Sequence, residues 1–121
     1  MPSELFFTIR YGDAIAGELS LKSIRWYNHK AEISVYIKQE FRKKGIAYLA
    51  LRLLLRHAFK TLNFHRLEAE IVSYNKQAMK LFDKLRFKEE GQLREAKFFA
   101  GNYHDIITYG LLASEFSDNL E

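Results

Sequence analysis

Apolar and polar residues change rhythm several times along the chain, and each change predicts an element. Leu5 to Tyr11 and Ala14 to Ile24 flank Gly12-Asp13, and the pattern predicts a β-hairpin because glycine lets the backbone reverse. Ala31 to Ile37 alternates, with Ile33, Val35 and Ile37 on one face and Glu32, Ser34 and Tyr36 on the other. From Gly45 to about Leu62 the period becomes helical, through Ile46, Leu49, Ala50, Leu53, Leu54, Ala58 and Leu62. Leu67, Ala69 and Ile71 alternate again as a short strand bounded by Ser73. A second helical stretch, Tyr74 to Leu85, carries Ala78, Leu81, Phe82 and Leu85. Phe87 to Phe99 and Tyr103 to Leu112 then flank Gly101-Asn102, a second hairpin. The order β-β-β-α-β-α-β-β, with a strand–helix–strand unit over 31–72, predicts an α/β fold. Its sheet is mixed and mostly antiparallel, with one central parallel pair.

Composition narrows the class. The chain has 121 residues, 48% hydrophobic and 15% aromatic, enough for one folded domain over residues 1–121 and too apolar for disorder. The longest apolar run, Ile46 to Leu51, is far too short to span a membrane, and the first residues lack a signal-peptide pattern. There is no cysteine, which is compatible with the cytoplasm. The four histidines, at 29, 57, 65 and 104, lack ligand-like spacing, so no metal site is expected. The net charge of +4 is uneven: residues 38–66 hold eight basic side chains and one acidic. Such a basic third suits an anionic partner, or forms a solvated face that includes the stripe Arg52, Arg56 and Lys60.

The segment Arg42-Lys43-Lys44-Gly45-Ile46-Ala47 joins the third strand to the long helix. A glycine turn feeding a helix presents unpaired N–H groups at the positive end of the helix dipole. Gly45 and small Ala47 let a phosphate approach, and the three basic residues add charge around it. The chemistry expected is a pyrophosphate cradle. It is neither a dinucleotide fingerprint, which needs three glycines, nor a P-loop.

Arg-x-x-Gly-x-Ala between a strand and a long helix resembles the acetyl-CoA signature of the GNAT-type N-acetyltransferase superfamily. Asn75-Lys-Gln-Ala-Met-Lys-Leu-Phe-Asp-Lys-Leu-Arg-Phe87 is similar to that family's Asn-x-x-Ala...Tyr-x-x-x-Gly-Phe helix. Glu90-Gly91-Gln-Leu-Arg-Glu95, followed by Gly101-x-Tyr103-x-Asp105, resembles the tail of the ribosomal-protein and spermidine N-acetyltransferase branch. The resemblance covers roughly residues 5–115 and is specific in its joint spacing.

The resemblance implies how acetyl-CoA, the co-substrate, would lie. Its pyrophosphate would meet backbone N–H groups from Lys43 to Ala47, with Arg42 and Lys44 beside them. Its pantetheine arm would run along Val35, Tyr36 and Ile37, where two parallel strands splay apart. Asn75 matches the family asparagine that bonds the pantetheine; as a residue it suits a helix N-cap equally, and the two roles are compatible. The reaction implied is direct attack of a primary amine on the thioester. Glu32 matches a strand position where this branch often has a glutamate that takes the amine's proton; its other reading is a surface ion pair. Glu68 and Glu70 on the adjacent strand stand in reserve, and a backbone N–H near Val35 or Tyr36 would hold the oxyanion.

Three departures qualify that picture. The tyrosine that returns a proton to the departing thiolate is Phe82 here, and the alternative serine is Ala78. Tyr74, Ser73 and Tyr36 are the remaining hydroxyls, Tyr74 being the site residue put forward. Complete family members begin with a strand and two helices that wall the acceptor site, and this chain starts at what resembles the second strand. Either the acceptor groove is open, or a second subunit supplies a wall, or the chain is truncated from a longer protein; apolar sheet at Leu5, Phe6 and Phe7 would favour a homodimer. Arg86 also replaces the usual glycine before Phe87, with an altered helix exit as the expected result. Three readings stand: an N-acetyltransferase for a protein N-terminus, a polyamine or a similar amine; a non-catalytic acetyl-CoA-binding module; and a basic nucleic-acid-binding domain. They rank in that order.

Overall fold

The computed structural model describes residues 1–117. Six strands form one sheet in the order β1-β2-β3-β4-β6-β5. The strands are β1 (Leu5–Tyr11), β2 (Ala14–Arg25), β3 (Lys30–Ile37), β4 (Arg66–Val72), β5 (Lys88–Phe99) and β6 (Asn102–Leu112). Helix α1 (Ile46–Arg56) joins β3 to β4, and α2 (Lys76–Lys84) leads from β4 to β5. The element order and the mixed, mostly antiparallel sheet match the sequence pattern.

Both hairpins form where glycine permits a positive φ. Gly12 turns at +63°, with Tyr11 opposite Ala14. In the second hairpin the turn falls one residue earlier than expected, at Ala100-Gly101, because Phe99 pairs with Asn102. Both turn residues have positive φ, the requirement of the tight hairpin turn that matches strand twist.

Alternation places Ile33, Leu67, Ala69, Ile71, Tyr109 and Leu111 on the face that the helices cover, and all are buried. On α1 the buried residues are Ile46, Ala50, Leu51, Leu54 and Leu55. Leu49 and Leu53, expected in the core, are instead 60% and 64% exposed, while Leu51 and Leu55 are fully buried. Apolar residues surround most of this helix, so periodicity could not tell which side meets the sheet. Beyond Arg56 the chain continues in a wider π-type turn, His57–Thr61, which seats Ala58 and Phe59 in the core.

Helix α2 begins at Lys76 rather than Tyr74 because Asn75 caps it, Oδ1 accepting from the Ala78 N–H at 3.1 Å. Its exit is closed by the Phe87 N–H to the Phe82 carbonyl and the Arg86 N–H to the Asp83 carbonyl, both 3.0 Å. The Phe82 and Phe87 rings pack edge-on 5.0 Å apart, completing a Schellman motif. Arg86 sits at φ +75°, the conformation glycine normally supplies, so the exit is unaltered despite the substitution.

Candidate active site

The parallel pair is short. Lys30, Ala31 and Glu32 of β3 lie beside Arg66, Leu67 and Glu68 of β4, and no further rung follows. From there β3 stays paired only with β2 and β4 only with β6. The strands therefore fork, leaving the β4 side of Val35, Tyr36 and Ile37 without a strand partner.

A cleft of about 800 Å³ runs from Val35, Tyr36 and Ile37 of β3 over the amino end of α1 to α2. It is lined by Val35, Tyr36, Ile37, Arg42, Lys43, Gly45, Ile46, Ala47 and Asn75, nine residues nominated from sequence. Lys44 lines a different cavity, between α1 and β1. Tyr74 lies outside the cleft, its ring 5.3 Å from Phe99 and 4.8 Å from His104 on the β5–β6 hairpin. Phe82 is buried against Phe87 and Tyr109, whereas Ala78 lines the cleft.

The amino end of α1 is built differently from that of α2. Gly45 occupies its N-cap at φ +75°, and no side chain caps the helix. The first-turn amides are thus available at the positive end of the dipole, and a Cβ added to Gly45 would meet nothing within 4 Å. Lys43, at φ +64°, helps turn the loop. Arg42 ties this loop to the strand: its Nε donates to the Ile37 carbonyl at 2.9 Å, and its guanidinium lies 5.8 Å from the Tyr36 ring centroid. A diphosphate fits this open, amide-rich turn better than a cation would.

At the closed end of the fork, Glu32 shares a recess of about 250 Å³ with Arg66, Glu68 and Glu70. Glu68 is neutralised from two sides, by Arg66 Nε at 2.7 Å and Lys30 Nζ at 3.4 Å. Glu32 has Lys22 alone, at 3.7 Å. Burial raises the Glu32 carboxyl above its usual range; Lys22 opposes the rise, and Glu70 and Glu68 add to it. Of the two carboxyls on this rung, Glu32 is the less neutralised.

Sequence reasoning passed over Gly17. A Cβ there would lie 2.0 Å from the Tyr36 carbonyl oxygen, so β2 reaches the cleft strand at this separation only with glycine. A glycine inside a strand pattern was the available signal.

The model of the acetyltransferase (GNAT) domain family matches residues 1–108. The chain belongs to the GNAT acetyltransferase family. It is 33% identical over 105 residues to the putative ribosomal N-acetyltransferase YdaF of Bacillus subtilis, covering 87% of this chain and 57% of that protein. To the spermidine N(1)-acetyltransferase of Escherichia coli it is 30% identical over 105 residues, covering 87% and 56%. Among solved structures, mutant forms of the Vibrio cholerae spermidine/spermine N-acetyltransferase SpeG superpose with a TM-score of 0.92 at 27% identity, covering 99% of this chain and 73% of that one. A chimera of that enzyme with hSSAT gives 0.89 at 28% identity, over 93% and 68%. The chain thus spans little more than half the length of these two curated relatives. Among the described residues, no helix is long and apolar enough to cross a membrane, and no group of three or more His, Asp or Glu could hold a metal ion.

Proposed function

We propose that this chain is an acetyl-CoA-dependent N-acetyltransferase acting in the cytoplasm on a primary amine of a cationic acceptor, a polyamine or a protein N-terminus. The observation that carries the reading is one cleft shared by two unpaired backbones: the uncapped amino end of α1 and the free side of β3. The amides from Lys43 to Ala47 take the pyrophosphate, and Val35 to Ile37 bond the pantetheine arm alongside Asn75. Glu32 and Glu70 place negative charge at the closed end of the fork, which favours a cationic amine over a neutral one.

In this reading Glu32 takes a proton from the incoming ammonium, directly or through one water, and frees its lone pair. The amine nitrogen bonds to the thioester carbonyl carbon, and an N–H of the free β3 edge near Val35 or Tyr36 holds the oxyanion. Collapse breaks the carbon–sulfur bond, the nitrogen gives its surplus proton to water, and the thiolate takes a proton from solvent. A free thiol with a pKa near 8.5 leaves without a side-chain acid at a cost of about 10²–10⁴-fold in rate. That accommodates Phe82 and Ala78 where relatives would carry a hydroxyl.

The test is release of free CoA thiol with a panel of spermidine, spermine, a peptide with a free N-terminus and an amino sugar. Amine-dependent release with one of the first three is the expected result. Acetyl-CoA binding without release across the panel would select the non-catalytic module, the reading that Phe82 and Ala78 favour. Salt-sensitive nucleic-acid binding with no response to acetyl-CoA would select the third reading.

A further inference from the structure

Among the described residues, one buried side-chain polar atom has no hydrogen-bond partner: the hydroxyl oxygen of Tyr48. Buried polar groups are almost always satisfied, so an orphan asks for an explanation. Tyr48 stands in the first turn of α1 and lines the cleft together with Ile46 and Ala47 of its own helix and Ala78 and Leu81 of α2. The residue as a whole is half-buried while its oxygen is closed off from solvent, so the hydroxyl is the inner end of the side chain. Two cations hold the ring. Lys84 Nζ, at the end of α2, lies 4.2 Å from its centroid, and the Arg52 guanidinium, one turn further along α1, lies at 5.8 Å. Cations this close to an aromatic ring are attracted by its quadrupole, and the Lys84 contact joins the two helices that bound the cleft.

Other polar groups of the cleft are engaged within the protein. Asn75 Oδ1 accepts from the Ala78 N–H at 3.1 Å, and the Ile37 carbonyl accepts from Arg42 Nε at 2.9 Å. The Tyr48 hydroxyl is committed to neither role and can both donate and accept. The cleft residues nearest it in the two helices, Ile46, Ala47, Ala78 and Leu81, are apolar. Such a wall suits an uncharged chain with isolated polar groups better than a phosphate. Phosphates have the amides and basic side chains at the turn into α1.

We propose that Tyr48 is a cofactor-binding residue whose hydroxyl hydrogen-bonds an amide of the pantetheine arm, the apolar wall beside it parting as acetyl-CoA enters. The proposal rests on the reading of this cleft as the acetyl-CoA site. It adds a side chain that the Arg-x-x-Gly-x-Ala signature does not include, since that signature ends at Ala47. The hydroxyl is then unsatisfied in the free protein and satisfied in the complex. Removing it therefore acts with opposite sign on the two: the free protein is relieved of a buried orphan, and the complex loses a bond.

Tyr48→Phe removes the oxygen and keeps the ring between Lys84 and Arg52. Wild type and variant are titrated calorimetrically with acetyl-CoA and with 3′-phosphoadenosine 5′-diphosphate, the nucleotide half of CoA without the arm. Melting of both proteins without ligand completes the test. Acetyl-CoA is expected to bind the variant about threefold to tenfold more weakly, and the nucleotide half within about twofold of wild type. The free variant is expected to melt at or above the wild-type temperature. An equal loss with both ligands, or with neither, overturns the proposal. So does a free variant that melts below the wild type, which would make the hydroxyl a structural group. No binding of acetyl-CoA by the wild type would overturn the functional reading itself, a result read before any substitution is made.

Discussion

Glu32 and Glu68 stand opposite one another on the last rung that β3 and β4 share before the strands part. Their neighbours neutralise the two carboxyls unequally. Arg66 and Lys30 neutralise Glu68, and Glu32 is left desolvated with Lys22 at the edge of contact. That inequality separates a structural ion pair from a base candidate, a distinction no strand pattern could make.

Glu32→Gln is therefore expected to lower kcat by about 10²–10⁴-fold. Because burial raises the Glu32 pKa, the acidic limb of the wild-type rate profile should lie above the ordinary carboxylate range and disappear in the variant. The same substitution should raise the melting temperature at pH 7. An acid whose folded pKa is raised destabilises the fold when ionised and ceases to do so once protonated. The gain should thus vanish at low pH, and melting curves at the two pH values check it.

Gly17→Ala places a methyl 2.0 Å from the Tyr36 carbonyl oxygen, in a sheet that cannot open locally without moving β3. A loss of about 1–3 kcal/mol of stability is expected, measured by urea unfolding. Weaker acetyl-CoA binding should accompany it, although Gly17 does not line the cleft.

Arg86→Gly should act in the other direction. Arg86 holds a left-handed conformation at the exit of α2 that costs a non-glycine residue about 1–2 kcal/mol. Glycine removes that cost and returns part of it as entropy of the unfolded chain, for a net gain of about 0.5–1 kcal/mol. Chemical denaturation is the measurement.

Tyr74→Phe tests the proton donor nominated from sequence. Its ring packs against Phe99 and His104 outside the cleft, so kcat is expected to stay within about threefold of wild type, far short of the loss of a general acid. A fall of a hundredfold would make its hydroxyl the donor to the thiolate.

Acid stability should depend on Glu90, whose pKa is lowered first by its hydrogen bond to Arg66. The ionised carboxylate favours the fold above the ordinary glutamate value of about 4.3 and loses that effect as pH falls through its depressed folded value. Wild type should exceed Glu90→Gln in melting temperature at pH 6, and the two should converge in strong acid.

Much of the fold was legible because each element announced its own period. Ile33, Val35 and Ile37 alternate as a strand must, and Arg42 to Ala47 has the grammar of a turn into a helix. Nine of the cleft residues follow from those two segments and Asn75, since chain adjacency brings them together. What was not legible depends on contacts between distant elements. The orientation of α1, which exposes Leu49 and Leu53 and buries Leu51 and Leu55, is fixed by the sheet beneath it. The turn at Ala100-Gly101 is set by the register of β5 on β6, which forces alanine into a glycine conformation. Lys44 reads like its neighbours Arg42 and Lys43, yet it lines the groove on the β1 side of the helix. The role of Gly17 required knowing how close Tyr36 comes.

Calorimetric titration of acetyl-CoA into the wild type and into Gly45→Glu tests the central claim most directly. The substitution sets a carboxylate at the uncapped end of α1, where the account places a diphosphate, and strains a backbone at φ +75°. Micromolar binding to the wild type, weakened at least a hundredfold in a variant that still folds, is the predicted result. Unchanged binding in Gly45→Glu, or none by the wild type at millimolar ligand, would contradict the account.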